Sequence, residues 1–245
     1  MKILVCISHV PDTTSRISFT DNNTKFDTKG VQFIIGPYDD YALARAIELK
    51  ESTGATVTVL NVGTAETEPT IRKALAIGAD DAIRVDAEPV DSYFVAAQIA
   101  EQAKAESYDL ILMGRESIDY NSGVVHALVG TMLNIPAVSP VMKLDLDGST
   151  AKMLREIEGG QEQVEAGLPL IAGCQEPIAE WKIPNMRGIM SARTKPLKVV
   201  PPVAVESGVK LQRFELPPPK GAVKLIDPDN VEELVHLLKT EARVL

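Results

Sequence analysis

A chain of 245 residues with 45% hydrophobic and 24% charged residues has the make-up of an ordinary globular protein, long enough to bury a large core in one or two domains. Its formal net charge of −9 argues against a surface that coats nucleic acid or binds anionic membranes. No apolar run approaches the roughly 18 residues needed to span a bilayer, so no membrane insertion is expected. Met1–Ser8 is too short and too strand-like for a signal peptide. The two cysteines, Cys6 and Cys174, sit in apolar runs without Cys-x-x-Cys spacing. They are expected to be reduced core thiols of a cytoplasmic protein.

The first 140 residues alternate strand and helix signals. Lys2–Ile7 is a continuous β-rich apolar run. A helix over Pro37–Lys50 opens on a first-turn proline followed by Asp39 and Asp40, which suit the positive end of the helix dipole, and Gly54 stops it. Strands are predicted over Thr56–Val62, Ala82–Val85 and Asp109–Met113, and helices over Glu66–Ile77, Asp91–Glu106 and Gly123–Leu133. This rhythm predicts an α/β fold with a doubly wound, mostly parallel, Rossmann-like sheet.

After Pro140 the rhythm changes. Val141–Asp147, Ala151–Glu158 and Val164–Cys174 read as strands joined by Asp147-Gly148 and Gly159-Gly160 turns, suited to an antiparallel extension. From Ile183 onward regular patterning fades into proline-rich segments, and one amphipathic helix closes the chain over Val231–Leu238. Residues 1–198 are therefore expected to form the α/β nucleotide-binding domain. Residues 199–245 are expected to form a carboxyl-terminal arm, poorly packed alone and suited to wrapping a partner subunit.

The most informative stretch runs from Asp109 to Gly123. An apolar strand breaks at Gly114 into a polar loop, and a helical pattern resumes after Ser122-Gly123. Parallel sheets place such loops at their carboxyl edge, where backbone N–H groups and a helix amino end can cradle a phosphate. No Walker lysine-serine pair and no G-x-G-x-x-G run occur, so a nucleotide pocket here is of another kind. Ser8–Thr14, the Asn61–Gly63 strand end and Gly36 before the first helix fall at equivalent edges. An ordinary strand–helix connection is the plain alternative at each place. Four such loops together make a nucleotide site the leading expectation.

Catalytic constellations are poorly supported. His9, His126 and His236 lie in unrelated contexts, no G-x-S-x-G elbow occurs, and no His, Cys or Asp cluster has metal spacing. No bond-making catalysis is expected. The segment from Glu180 to Lys198 interleaves Lys182, Arg187, Arg193, Lys195 and Lys198 with Ile183, Met186, Ile189 and Met190. It reads either as a basic loop with an ordinary core helix or as a docking surface whose adaptable side chains anchor a partner.

These residues resemble a known family. Asp12-Thr13, Gly36–Leu43, Thr70–Asp80, Gly114–Gly123, Arg155–Gly160, Leu168-Pro169 and Arg187–Ala192, in that order, closely resemble the β subunit of electron transfer flavoproteins over the whole chain. The resemblance implies a heterodimer with an α subunit that holds most of a redox FAD. It implies electrons received from acyl-CoA dehydrogenases of fatty acid oxidation, or related dehydrogenases, and passed to a membrane quinone oxidoreductase or another acceptor.

It also implies an AMP in this chain, touched by Cys6, Gly36, Pro37, Tyr38, Asp39, Val62, Gly114, Arg115, Ile118, Asp119, Asn121, Ser122, Gly123 and Val124. Asp119 and Asn121 would hold ribose or base edges, and Ser122-Gly123 would offer N–H groups to the phosphate. Thr13 and Tyr38 would lie near the α-subunit flavin. Ile183 would insert into a dehydrogenase pocket, with Met186, Arg187, Ile189 and Met190 around it. Gly36, Val62 and the Asp119-Tyr-Asn-Ser run depart from residues common in the family. AMP is the first expectation, with a second FAD, as in bifurcating relatives, or an empty pocket as alternatives. A stand-alone adenine-nucleotide-binding protein is the reading from a different class.

Overall fold

The computed structural model describes residues 1–245. In chain order its elements are β1 (Lys2–Cys6), β2 (His9–Pro11), β3 (Phe19–Thr20), β4 (Lys25–Phe26), β5 (Phe33–Ile35), α1 (Pro37–Thr53), β6 (Thr56–Val62), α2 (Glu68–Ile77), β7 (Asp81–Val85), α3 (Ser92–Ala105), β8 (Leu110–Gly114) and α4 (Val125–Leu133). There follow β9 (Ala137–Asp147), β10 (Thr150–Ile157), β11 (Gly160–Gly167), β12 (Leu170–Cys174), α5 (Met186–Ala192), β13 (Leu197–Val200) and α6 (Val231–Leu237).

The main sheet has nine strands in the order β11-β10-β9-β12-β8-β1-β6-β7-β13. Every neighbouring pair from β9 to β13 is parallel, and β10 and β11 add antiparallel at one edge. Alternation along single strands shows why both faces are covered. Ile3, Val5, Leu110 and Leu112 pack with Leu43, Ala46 and Ile47 of α1 and Ile71, Ala74 and Leu75 of α2. The intervening Leu4, Cys6, Ile111 and Met113 pack with Ala96, Ile99 and Ala100 of α3 and Val129 of α4. Side chains of period two thus feed two cores, which explains the unbroken apolar runs in the sequence. Each fully buried Leu or Ile contributes about 1.5–3 kcal/mol relative to exposure. The doubly wound parallel sheet expected from the βα rhythm is what forms.

Local signals set several ends. Asp91 caps α3, its side chain accepting a hydrogen bond from Phe94 N at 2.6 Å. Gly54 ends α1 in the left-handed region at φ 72°. The helix expected from Gly123 begins two residues later, at Val125.

Two departures from the sequence reading concern order in space. Val164–Cys174 is not one strand. It divides at Leu168-Pro169 into β11, paired antiparallel with β10, and β12, which lies between β8 and β9 in the middle of the sheet. Proline has no N–H for a ladder, and the residues after it, Leu170–Cys174, are buried throughout, which only a strand covered on both faces can be. Past Ile183 regular structure continues as α5 and as β13, which pairs with β7 at the far edge, so the sheet runs beyond residue 198.

Met1–Ser18 with Asp27–Leu211 forms one compact unit. Phe19–Phe26 with Gln212–Leu245 forms a second. In the second, the β3–β4 hairpin turns through Asp21, Asn22 and Asn23, all at positive φ. The Phe19 and Phe214 rings stack at 4.8 Å, and Phe214 N donates to Asn23 O at 2.7 Å. Asn230 caps α6, none of whose residues is buried. No helix of the molecule is long and apolar enough to cross a membrane.

Candidate functional site

The carboxyl ends of β1 and β8 are tied together by one side chain. Asp39, in the first turn of α1, accepts hydrogen bonds from Ser8 N (2.8 Å) and Ser8 Oγ (2.5 Å) on one oxygen and from Gly114 N (2.8 Å) on the other. The loop after β1 is joined to β6 by Asn61, whose Nδ2 donates to Ile7 O at 2.9 Å. The end of β6 is held by Arg84 of β7, whose guanidinium donates to Gly63 O at 2.9 Å and to Asp86 Oδ1 at 2.5 Å. The loops that the sequence placed at equivalent edges are therefore linked along one edge of the sheet, as the topology of an open α/β sheet dictates.

Electrostatics at this rim follow from burial. Desolvation raises the Asp39 carboxyl from 3.8 to about 6, and its bonds from Ser8 and Gly114 offset only part of that. Desolvation, followed by the nearby Asp39, pushes the Cys6 thiol well up, so Cys6 stays protonated and unreactive. Both cysteines are free and buried. His9 Nδ1 lies 2.8 Å from Thr70 Oγ1, and its ring stacks on Phe33 at 4.4 Å, fixing the segment after β1 against α2 and β5. Burial lowers the His9 pKa, with Glu66 acting in the opposite sense.

Gly114 lies where no side chain fits. A Cβ there would come within 2.7 Å of both Tyr38 Cβ and Asp39 Oδ1, and 3.0 Å of Asp39 N. This close approach brings the amino end of α1 against the end of β8. Tyr38 lies beneath Arg115, whose guanidinium carbon stands 4.9 Å from the ring centroid. Arg115 in turn donates to Gln175 Oε1 at 2.9 Å and Glu116 Oε1 at 3.1 Å. Cys6, Gly36, Pro37, Tyr38, Asp39, Val62, Gly114 and Arg115 thus all belong to the strand ends or the α1 turn that forms this rim.

The remaining expected contacts, Ile118, Asp119, Asn121, Ser122, Gly123 and Val124, lie on the connection from β8 to α4. That loop is ordered by its own polar groups. Ser117 and Ser122 bridge backbones, and Asp119 accepts from Ser117 Oγ and from Tyr120 N (2.9 Å). Asn121 takes the left-handed conformation at φ 50°, and Ser122 Oγ meets Ser92 Oγ at 2.5 Å. Unlike α3, α4 has no side-chain cap at its amino end, where Ser122, Gly123 and Val124 lead in. Uncapped first-turn N–H groups behind a short Ser-Gly lead form a fitting cradle for a nucleotide phosphate. Asn61 Oδ1 is a buried acceptor left without a partner at the same rim. Thr13, after β2, is exposed in a turn closed by Asp12, which accepts from Thr14 N at 2.9 Å.

Local patterns did not single out Arg84, Ser92 or Gln175. Arg84 carried a usable signal, a lone cation in the apolar strand Asp81–Val85. Ser92 and Gln175 carried none, since each matters only through its partner. An open cleft lined by Met142, Glu156, Gly160, Gln175 and Glu176 also lies outside the expected residues.

The basic Met/Ile segment folds as the short helix α5 and the stretch before it. Ile183 is 73% exposed, Met186 74% and Met190 68%, with Trp181 and Ile189 also exposed. Only Ala192 of α5 is buried, so α5 is a surface helix. Arg187 is exposed on the same helix.

A family model for the electron transfer flavoprotein domain matches residues 23–205. The chain belongs to the electron transfer flavoprotein family. It is 35% identical over 259 residues to the electron transfer flavoprotein subunit beta of Bacillus subtilis (strain 168), with all of both chains covered. It is 34% identical to the protein of that name from Syntrophomonas wolfei, covering 100% of this chain and 98% of the relative. The human protein of that name is 28% identical, with 100% of this chain and 99% of the relative covered. The electron transfer flavoprotein match spans the rim from Gly36 to Val124 and the exposed segment around α5. Membership brings with it a role in flavin-based electron transfer.

Proposed function

We propose that the chain is the small subunit of a heterodimeric electron transfer flavoprotein, partnered with an α subunit that holds most of an FAD. The observation that carries this reading is the full-length correspondence to relatives named subunit beta, joined to strand ends knitted at the carboxyl edge by Asp39. When bound, FAD supplies reversible uptake of one or two electrons. The part this chain plays is to bind and orient. Tyr38, held under Arg115, and Thr13 face the shared flavin. The crevice, through Asp119, Asn121 and the Ser122–Val124 lead into α4, holds AMP as a structural ligand rather than a reactant. No catalytic residue is assigned.

The exposed stretch bearing Ile183, Met186, Arg187, Ile189 and Met190 is the docking site for the donor. Acyl-CoA dehydrogenases or related dehydrogenases are the donor class, and a membrane quinone oxidoreductase is the acceptor class. Aliphatic side chains bared in a cluster, with cations interleaved, match a partner that offers an apolar pocket ringed by acids. Residues 212–245, the part of the expected arm that lies outside the sheet-bearing unit, form the arm that wraps the α subunit. Leu216, Val223, Leu225 and Val231 stand exposed along it, as expected of a segment whose burial is completed by another chain. The protein works in the cytoplasm.

The test is a count of nucleotides. Co-expressed with its α subunit, the chain should give a yellow complex containing one flavin and one AMP per heterodimer, measured by acid extraction, chromatography and mass spectrometry. Two flavins and no AMP would replace the AMP reading by a second FAD. A complex with no flavin would end the proposal.

A further inference from the structure

The two acidic residues at the start of α1 serve different ends. Asp39 knits the crevice. Asp40 reaches across 141 residues of sequence to the exposed segment, its Oδ2 accepting a hydrogen bond from Trp181 Nε1 at 3.1 Å. Lys73 Nζ of α2 lies 3.7 Å from the same oxygen. A helix-start acid ordinarily serves the dipole from the surface. Asp40 is only 8% exposed, and its second oxygen, Oδ1, has no partner. Burying a carboxylate with half its acceptor capacity unused is costly. Such a cost, at a residue that bonds neither Ser8 nor Gly114, suggests a function elsewhere.

The exposed segment shows what that function is. Its carboxyl end is fastened firmly, by cations directed at backbone carbonyls. Arg72 donates to Ala192 O and Lys195 O, both at 2.9 Å, and Lys195 Nζ donates to Leu75 O (2.9 Å) and Ala79 O (2.5 Å). At its middle, α5 lies so close on α2 that a Cβ at Gly188 would overlap the Ala76 carbonyl. The amino end, where Ile183 stands, has no such fastening. Lys182 reaches Glu51 only at 3.5 Å, and the glutamate is largely exposed, a pairing of little worth. Trp181 itself is 56% exposed, so burial does not hold it. The indole–carboxylate bond is the one strong tether there.

We propose that Asp40 is a positioning residue for donor docking, anchoring Trp181 to the α1–α2 shoulder so that Ile183, two residues on, is presented in a fixed place. This rests on the reading of the Ile183–Met190 stretch as the docking site. It also links that site physically to the crevice, since Asp39 and Asp40 are neighbours on one helical turn.

Trp181 is the chain's sole tryptophan, which gives a local reporter. In the flavin-loaded heterodimer, Asp40→Ala and Trp181→Phe should each raise KM about 3- to 10-fold, the scale of re-ordering immobilised side chains on docking. The donor is an acyl-CoA dehydrogenase that reduces the wild-type heterodimer. Flavin content and kcat should be unchanged, and Asp40→Asn, which keeps an oxygen for the indole, should restore most of the loss. In the full chain, Asp40→Ala should lower the fluorescence anisotropy of Trp181 and increase its quenching by acrylamide. Combined with Ile183→Ala, Asp40→Ala should add nothing further, because both act through one contact. If Ile183→Ala raises KM while Asp40→Ala and Trp181→Phe do not, the positioning role is wrong and the docking site stands. If Ile183→Ala leaves KM unchanged, both fall. Unaltered Trp181 anisotropy in Asp40→Ala would also overturn the tether.

Discussion

Gly114→Ala tests the geometry of the crevice most directly. The added Cβ would stand 2.7 Å from Tyr38 Cβ, whereas carbon atoms rest at about 3.5–4.0 Å. The two elements must therefore part by about 1 Å. Because the backbone nitrogen of Asp39 is also within 3.0 Å, a rotamer change cannot relieve the overlap and the start of α1 must move. Over-packing of this kind costs about 1–3 kcal/mol. Displacement also stretches the Gly114 N–Asp39 bond of 2.8 Å, and a hydrogen bond to a charged group is worth about 1.5–3 kcal/mol. A total near 3 kcal/mol lowers the melting temperature by about 6–12 °C for a chain of this size. Gly123→Ala is the matched control in the same loop. The nearest atom to its added Cβ is Arg115 O, at an ordinary 3.6 Å, and the cost should be within about 0.5 kcal/mol. Thermal unfolding followed by far-UV circular dichroism compares the two. If Gly114→Ala melts within about 2 °C of Gly123→Ala, the close approach of α1 to β8 is not what the structure describes.

Further outcomes follow from individual side chains. The Asp39 pKa is raised in the folded state, from 3.8 to about 6, so folding holds a proton that the unfolded chain releases between those values. Stability contributed by this group is complete below pH 4 and declines as pH rises through about 6, by roughly 3 kcal/mol at 1.36 kcal/mol per pH unit. The difference in unfolding free energy between the natural chain and Asp39→Asn should therefore move in favour of the natural chain as pH falls from 7 to 4, and a pH-independent difference in denaturant titrations would contradict this. Asp91→Ala removes the α3 cap and the acceptor of Ser207 Oγ and Gly208 N, and should lower stability by about 1–2 kcal/mol in the same titrations. Asp119→Ala should reduce the AMP retained by the purified heterodimer, read by chromatography of the extract, while moving the melting temperature little because Asp119 is exposed. Unaltered AMP with a large melting shift would show a purely structural role.

The rim was readable in outline because each of its parts leaves a local mark. Gly36-Pro37 before a helix, Gly63 after a strand and the Gly114–Gly123 loop are punctuation that any strand–helix alternation must carry. Parallel winding then brings them to one edge. What could not be read is which side chain joins them. Asp39 and Asp40 look alike in sequence, as two acids in a first turn. One bonds Ser8 and Gly114, and the other bonds Trp181, 141 residues away. Nor does sequence show that Arg115 rests on Tyr38 and bonds Gln175, or that Ser92 meets Ser122, since these partners come from different elements.

Hydrophobic period, capping residues and turn residues determined by themselves that this chain builds βα units, and they set most element ends over the first 140 residues, because those signals act within a few residues of backbone. The tertiary structure alone decided that Leu170–Cys174 enters the middle of the sheet, that Leu197–Val200 closes its other edge, and that α5 is bared rather than buried. A strand's place in a sheet depends on which faces remain to be covered once all the others have paired. That is a property of the whole packed molecule, which no window of sequence contains.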